Sequence, residues 1–144
     1  MTDGCIFCAI VAGRAPASFV YDDDRITAFM TIHPTRPGEL VVIPKAHIDH
    51  FCDLSDELSA HLCVVAQRLS RNVRERLAPK RVGWVVHGFG VAHAHLIVVP
   101  QHDASDIVSG RHVVVDNGTI RFTDEHLPTP PREELDRLAK LLQF

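Results

Sequence analysis

Apolar positions repeat with two different periods along the chain, and the changes of period mark its elements. Ile26 to Met30 and Glu39 to Ile43 are short apolar runs that predict strands. Pro34-Thr35-Arg36-Pro37-Gly38 between them is a strong turn signal. From Asp53 to Leu77 the period becomes helical. Leu58, Leu62, Val65, Leu69, Val73 and Leu77 recur at spacings of three and four, the stripe of one buried helical face. Ser55 or Asp53 can cap its start, and Ala78-Pro79-Lys80 ends it. Val82 to His87 and His93 to Val99 are β-branched runs separated by Gly88-Phe89-Gly90, which predicts an antiparallel hairpin or meander. A loop is expected from Pro100 to Ser109. A second, small hairpin follows, with arms Val113 to Val115 and Thr119 to Phe122 around Asp116-Asn117-Gly118. Thr129-Pro130-Pro131 opens a last short helix whose apolar face is Leu135, Leu138, Ala139 and Leu142. The sum is an α+β fold: an antiparallel sheet with one long helix and a C-terminal helix. With 144 residues, one domain over 1–144 is expected.

Charge narrows the classes of partner. The net charge is −3, from 15 basic and 18 acidic residues, so no broad nucleic-acid surface is expected. A small anionic ligand stays open, because local geometry binds one without global charge. No apolar run approaches the ~18–20 residues of a membrane span. Met1-Thr2-Asp3-Gly4 carries neither the basic nor the apolar part of a signal peptide, which makes the cytoplasm the expected compartment. There Cys5, Cys8, Cys52 and Cys63 are not expected to form a disulfide framework. Ten histidines make imidazole chemistry the place to look.

Three clusters stand out. If His93-Ala94-His95-Leu96-Ile97-Val98-Val99 is a strand, Ala94, Leu96 and Val98 form an apolar face toward the helix. His93 and His95 then share the other face, roughly 6.5–7 Å apart. They are either two surface histidines or a pair able to bind phosphate, ligate a metal, or act as nucleophile and helper. Val41-Val42-Ile43-Pro44-Lys45-Ala46-His47 ends an apolar run in a basic tip, and His50 after it reads as a solvated loop residue. Cys5-Ile6-Phe7-Cys8 is half a zinc site, a redox pair, or two buried cysteines. With no second C-x-x-C, a Cys₄ site built from two such pairs is excluded, and a Cys₂His₂ site must recruit distant histidines. A thioredoxin-like role is disfavoured, because no strong strand precedes the pair.

Taken together, these residues resemble the histidine triad family, in particular its bacterial branch of small dimeric nucleotide hydrolases and transferases. The resemblance runs through Cys5 to Ala17, Val20-Tyr21-Asp22-Asp23, Ala28-Phe29, Pro34 to Gly38, Leu40 to His47, and His93-x-His95 with its closing Pro100. It implies that His95, the middle histidine, attacks the α-phosphorus of a nucleotide and forms a covalent nucleotidyl-histidine that water then cleaves. It implies a structural Zn²⁺ held by Cys5, Cys8, His47 and His93, and a homodimer. It places nucleotide or phosphate contacts at His93, His95, Thr31, Ile32, His33 and His87.

The chain departs from the family pattern at four places. Ile97 stands where the third triad histidine is expected. Phe89 replaces a glutamine amide before the triad. The preceding loop is shortened to His87-Gly88, and Thr31-Ile32-His33-Pro34 replaces a segment that begins with a ribose-binding acid. Loss of one oxyanion donor typically costs ~10²–10³ in rate. Four readings follow: a nucleotide hydrolase or transferase acting through His95; a catalytically impaired nucleotide- or phosphate-binding protein with structural zinc; an enzyme for another phosphorylated substrate that uses His33 or His87 in new roles; and a plain zinc-stabilised interaction domain.

Overall fold

Alternation along two central strands sorts their side chains onto two faces, and the molecule covers both. The computed structural model describes residues 4–107 and 112–144. In chain order its elements are α1 (Ile6–Val11), β1 (Phe19–Asp22), β2 (Ile26–Met30), β3 (Leu40–Pro44), α2 (Asp56–Leu77), β4 (Arg81–Val85), β5 (Leu96–Gln101), β6 (Val113–Asp116), β7 (Thr119–Phe122) and α3 (Arg132–Leu142). One sheet has the order β1-β2-β3-β5-β4 and every pair in it is antiparallel. This is the expected α+β architecture.

The first face carries Ile26, Ala28, Met30, Leu40, Val42, Leu96 and Val98, all buried against Leu62, Val65, Leu69 and Val73 of α2 and Leu135 and Leu138 of α3. The second face carries Phe29, Val41, Ile43 and Ile97, and α1 lies over it with Phe7, Ile10 and Val11. All five positions of both β2 and β3 are therefore buried. Half-solvated antiparallel strands would alternate instead.

Local chemistry fixes the element ends. The Ser55 hydroxyl accepts from the Leu58 N–H at 3.2 Å and caps α2, as expected. Asp56 and Glu57 in its first turn and Arg74 and Arg76 in its last match the helix dipole. The helix stops at Ala78, whose φ is 48°. The Asn72 amide then donates to the carbonyls of Leu142 and Gln143, tying α2 to the end of α3. In the β2–β3 turn, the Arg36 guanidinium reaches Asp106 and Asp103, each at 2.8 Å, and fastens the turn to the loop after β5. Asn117 and Gly118 have φ of 48° and 78° and close the expected β6–β7 hairpin.

Several expectations are corrected. The long helix begins at Asp56, after a 3-10 turn at Phe51–Asp53. β5 begins at Leu96 rather than His93 and runs to Gln101, so Pro100 lies in the strand and not in a loop. β4 ends at Val85, short of His87. Residues 108–109 of the expected loop lie outside the described residues, as do the first three. α1 and β1 were not foreseen. No helix among the described residues is long and apolar enough to cross a membrane.

Candidate functional site

The site is built where the chain approaches β5. The Ala94 N–H donates to the Ile48 carbonyl at 2.7 Å, and the His93 N–H to the Val91 carbonyl at 2.8 Å. Pairing with β3 starts only at Leu96, opposite Val42. His93 and His95 thus sit on a braced, non-ladder segment. They are not the surface pair that one reading of the sequence allowed: His93 is 0% and His95 8% exposed. Phe7 of α1 covers them, with ring centroids 5.7 and 5.6 Å away and both contacts edge-on. Ile97 packs with Phe7 and Phe29 in the same apolar layer.

Four soft donors converge beneath α1. The ligand atoms of Cys5, Cys8, His47 and His93 lie within 4.8 Å of one another. His93 Nδ1 is 3.5 Å from Cys5 Sγ and 3.7 Å from Cys8 Sγ, and His47 Nδ1 is 3.2 Å from Cys8 Sγ. Tetrahedral zinc, with bonds of about 2.3 Å to sulfur and 2.0–2.1 Å to nitrogen, sets its ligand atoms roughly 3.3–3.8 Å apart, so the donor set fits that ion. His93 donates its Nε2 hydrogen to the Pro44 carbonyl at 2.8 Å, which leaves the Nδ1 lone pair toward the sulfurs. Burial, with smaller contributions from His47 and His95, holds the pKa of His93 below its ordinary value despite that bond, which favours the neutral ring that a metal ligand needs.

His95 is oriented by the same residue. Its Nδ1 hydrogen goes to the His93 carbonyl at 2.7 Å, because a carbonyl only accepts. In the neutral ring this tautomer puts the lone pair on Nε2, the atom a nucleophile or phosphoryl acceptor would use. His95 lines a cleft of about 40 Å³ shared with His87, His50 and Asp49. A larger cavity of about 480 Å³ opens between β1 and α3. It contains none of these histidines; within its lining Ser18 donates to Asp136 and Gln143 to the Phe19 carbonyl.

The structure thus gathers His93, His95 and His87 at one cleft and the four sulfur and nitrogen donors behind it. Thr31, Ile32 and His33 lie elsewhere, at the end of β2. The Thr31 N–H bonds to the Glu39 carbonyl, Ile32 is 48% exposed, and His33 Nδ1 is 3.2 Å from the Thr129 hydroxyl. His50, read from the sequence as a solvated loop residue, is 69% exposed and also lines the cleft. Sequence reasoning found no partner for His61, which bonds Asp23 at 2.6 Å, or for His112, which bonds the Thr35 hydroxyl at 3.0 Å.

A five-stranded antiparallel sheet that carries a buried imidazole pair on the approach to its fourth strand in spatial order defines a histidine-triad type of domain. The chain belongs to the HIT family: the HIT domain model matches residues 12–104. Protein hit of Bacillus subtilis is 30% identical over 109 residues, covering 72% of this chain and 75% of that one. A zinc-bound histidine triad family protein from Mycobacterium smegmatis superposes with a TM-score of 0.73 at 31% identity, over 96% of this chain and 93% of that one. A Hit-like protein from Bartonella henselae gives a TM-score of 0.78 over 99% and 96%; at 22% identity it shares the fold.

Proposed function

We propose that this protein cleaves a nucleoside 5′-monophosphate from a leaving group, of the phosphoramidate or dinucleotide type, through a covalent nucleotidyl-histidine on His95. The observation that carries the reading is the His95 Nδ1 bond to the His93 carbonyl, which commits one nitrogen and frees the other at the cleft. Nε2 attacks the α-phosphorus. The N–P bond forms, the bond to the leaving group breaks, and its electron pair leaves with that group. Water then attacks the same phosphorus, the P–N bond breaks, and the imidazole is restored. His87 contacts phosphate from the cleft. Thr31, Ile32 and His33, outside the small cleft at the end of β2, would carry the nucleoside beyond the phosphate, with the Thr31 hydroxyl in place of a carboxylate grip.

Cys5, Cys8, His47 and His93 would hold zinc; the relative from Mycobacterium smegmatis is itself zinc-bound. All four positions of such a site are protein atoms, so the ion crosslinks and does not activate water. His93 would serve both centres, with its ring on the metal and its carbonyl on His95. The remaining parts of the reading are a single domain, a cytoplasmic location and a homodimer.

Two observations favour a second reading, a nucleotide-binding protein with little or no catalysis. Ile97 is apolar and packed where a third imidazole is expected, and Phe89, 80% exposed, cannot replace an amide. The test is AMP release from adenosine 5′-phosphoramidate, with trapping of an acid-labile adduct, by the wild type and by His95→Ala. Turnover and adduct in the wild type alone support the hydrolase. AMP binding without chemistry selects the second reading.

A further inference from the structure

Departure of an amine or alkoxide from phosphorus needs a proton, and Ile97 has none to give. We propose that His50 is the general acid that protonates the leaving group. This rests on the nucleotidyl-transfer reading above. His50 lines the same small cleft as His95, from a different loop. Its main chain is held on both sides. Two residues earlier the Ile48 carbonyl takes the N–H of Ala94, the residue next to His95. The His50 carbonyl itself accepts the Asp53 N–H at 3.0 Å and starts the 3-10 turn. The loop that carries His50 is therefore tied to the segment that carries His95 by one hydrogen bond, while the His50 side chain stays 69% exposed. His87 is the other imidazole on the rim, but its ring lies against Phe89 with centroids 5.8 Å apart. The charged or titratable groups around His50 are Asp49, with Oδ2 3.9 Å from Nε2, Asp53 of the 3-10 turn, and His87, His93 and His95 of the β4–β5 segment.

The step balances without any co-reactant. As His95 Nε2 bonds to phosphorus, the leaving atom takes the electron pair of its broken bond and a proton from the His50 imidazolium. Neutral His50 then accepts a proton from the water that attacks the nucleotidyl-histidine, and returns to its starting state.

The test pairs two adenosine 5′-monophosphate derivatives that differ in leaving group. The alkylamine phosphoramidate needs a proton to depart, and the p-nitrophenyl ester does not. His50→Gln keeps size and polarity but cannot titrate, and its exposed position leaves folding and metal content unchanged. Measured on kcat/KM, which reports only the steps up to departure of the leaving group, it is expected to slow the phosphoramidate about 10²-fold and the nitrophenyl ester less than about 3-fold. Equal slowing of both substrates, or of neither, overturns the proposal. So does the same selective pattern in His87→Gln with His50→Gln unaffected. In each of these cases wild-type turnover and a His95 adduct leave the nucleotidyl reading standing. No turnover of either substrate and no adduct overturns both.

Discussion

Single residues do double duty in this chain, and Glu39 shows the cost. Its side chain is buried at the base of the β2–β3 turn, where Oε2 accepts the Thr35 N–H at 2.8 Å. Burial, with a small push from Asp124, raises its pKa to about 7 against the help of the Thr35 bonds. The folded chain therefore holds this proton more tightly than the unfolded one. The stability it contributes is full below about 4.5, falls as pH rises toward 7, and stays lost above. Glu39→Gln keeps the acceptor and removes the ionisation. Urea unfolding should find it equal to the wild type at pH 4 and about 1–3 kcal/mol more stable at pH 8. A variant that is less stable at pH 8 contradicts this account.

Elements show how far the sequence could be read. The long helix, the terminal helix and the Asn117-Gly118 hairpin were legible, because each rests on a local period or a turn type. Ser55 was legible as a cap for the same reason, and Ser55→Ala should cost about 1 kcal/mol in a thermal melt. The start of β5 was not. His93 and Ala94 look like strand, yet their N–H groups go to Val91 and Ile48, a choice made by a distant loop. α1 was hidden because it is six residues long with no side-chain cap. Only packing on the sheet sustains so short a helix. Missing α1 placed the two histidines on an open face, when Phe7 covers them. The residues that gather at the site were legible mainly through resemblance. His50 was not, because nothing in local sequence reveals the bond between Ile48 and Ala94. Gly38 could be seen as a turn residue but not as a packing one. Its φ is 96°, and an added Cβ would lie 2.2 Å from a Leu77 methyl. Gly38→Ala should destabilise by about 2 kcal/mol or more, measured by denaturant midpoint.

For the whole molecule the four-donor cluster matters most, because it joins α1 to the chain after β3 and the chain before β5. Zinc is expected at one ion per chain in untreated protein. With zinc at 100–1,000 times its Kd, removal should cost about 3–4 kcal/mol. A chelator should lower the melting temperature of the wild type and leave that of Cys8→Ser unmoved. The larger part of the core, between the sheet, α2 and α3, contains none of the four donors, so Cys8→Ser should still fold cooperatively.

The cluster also has a consequence for synthesis. Cys5 and Cys8 leave the ribosome well before His93, which is 88 positions after Cys5. A nascent chain could offer an ion only two thiolates, and then a third ligand at His47. Those same thiolates stay open to oxidants until β5 has emerged. Translation in a zinc-poor or oxidising cell would therefore damage this protein chiefly in the interval before its own fourth ligand is made. The finished molecule, with both sulfurs under α1 and beside two imidazoles, would be far less vulnerable.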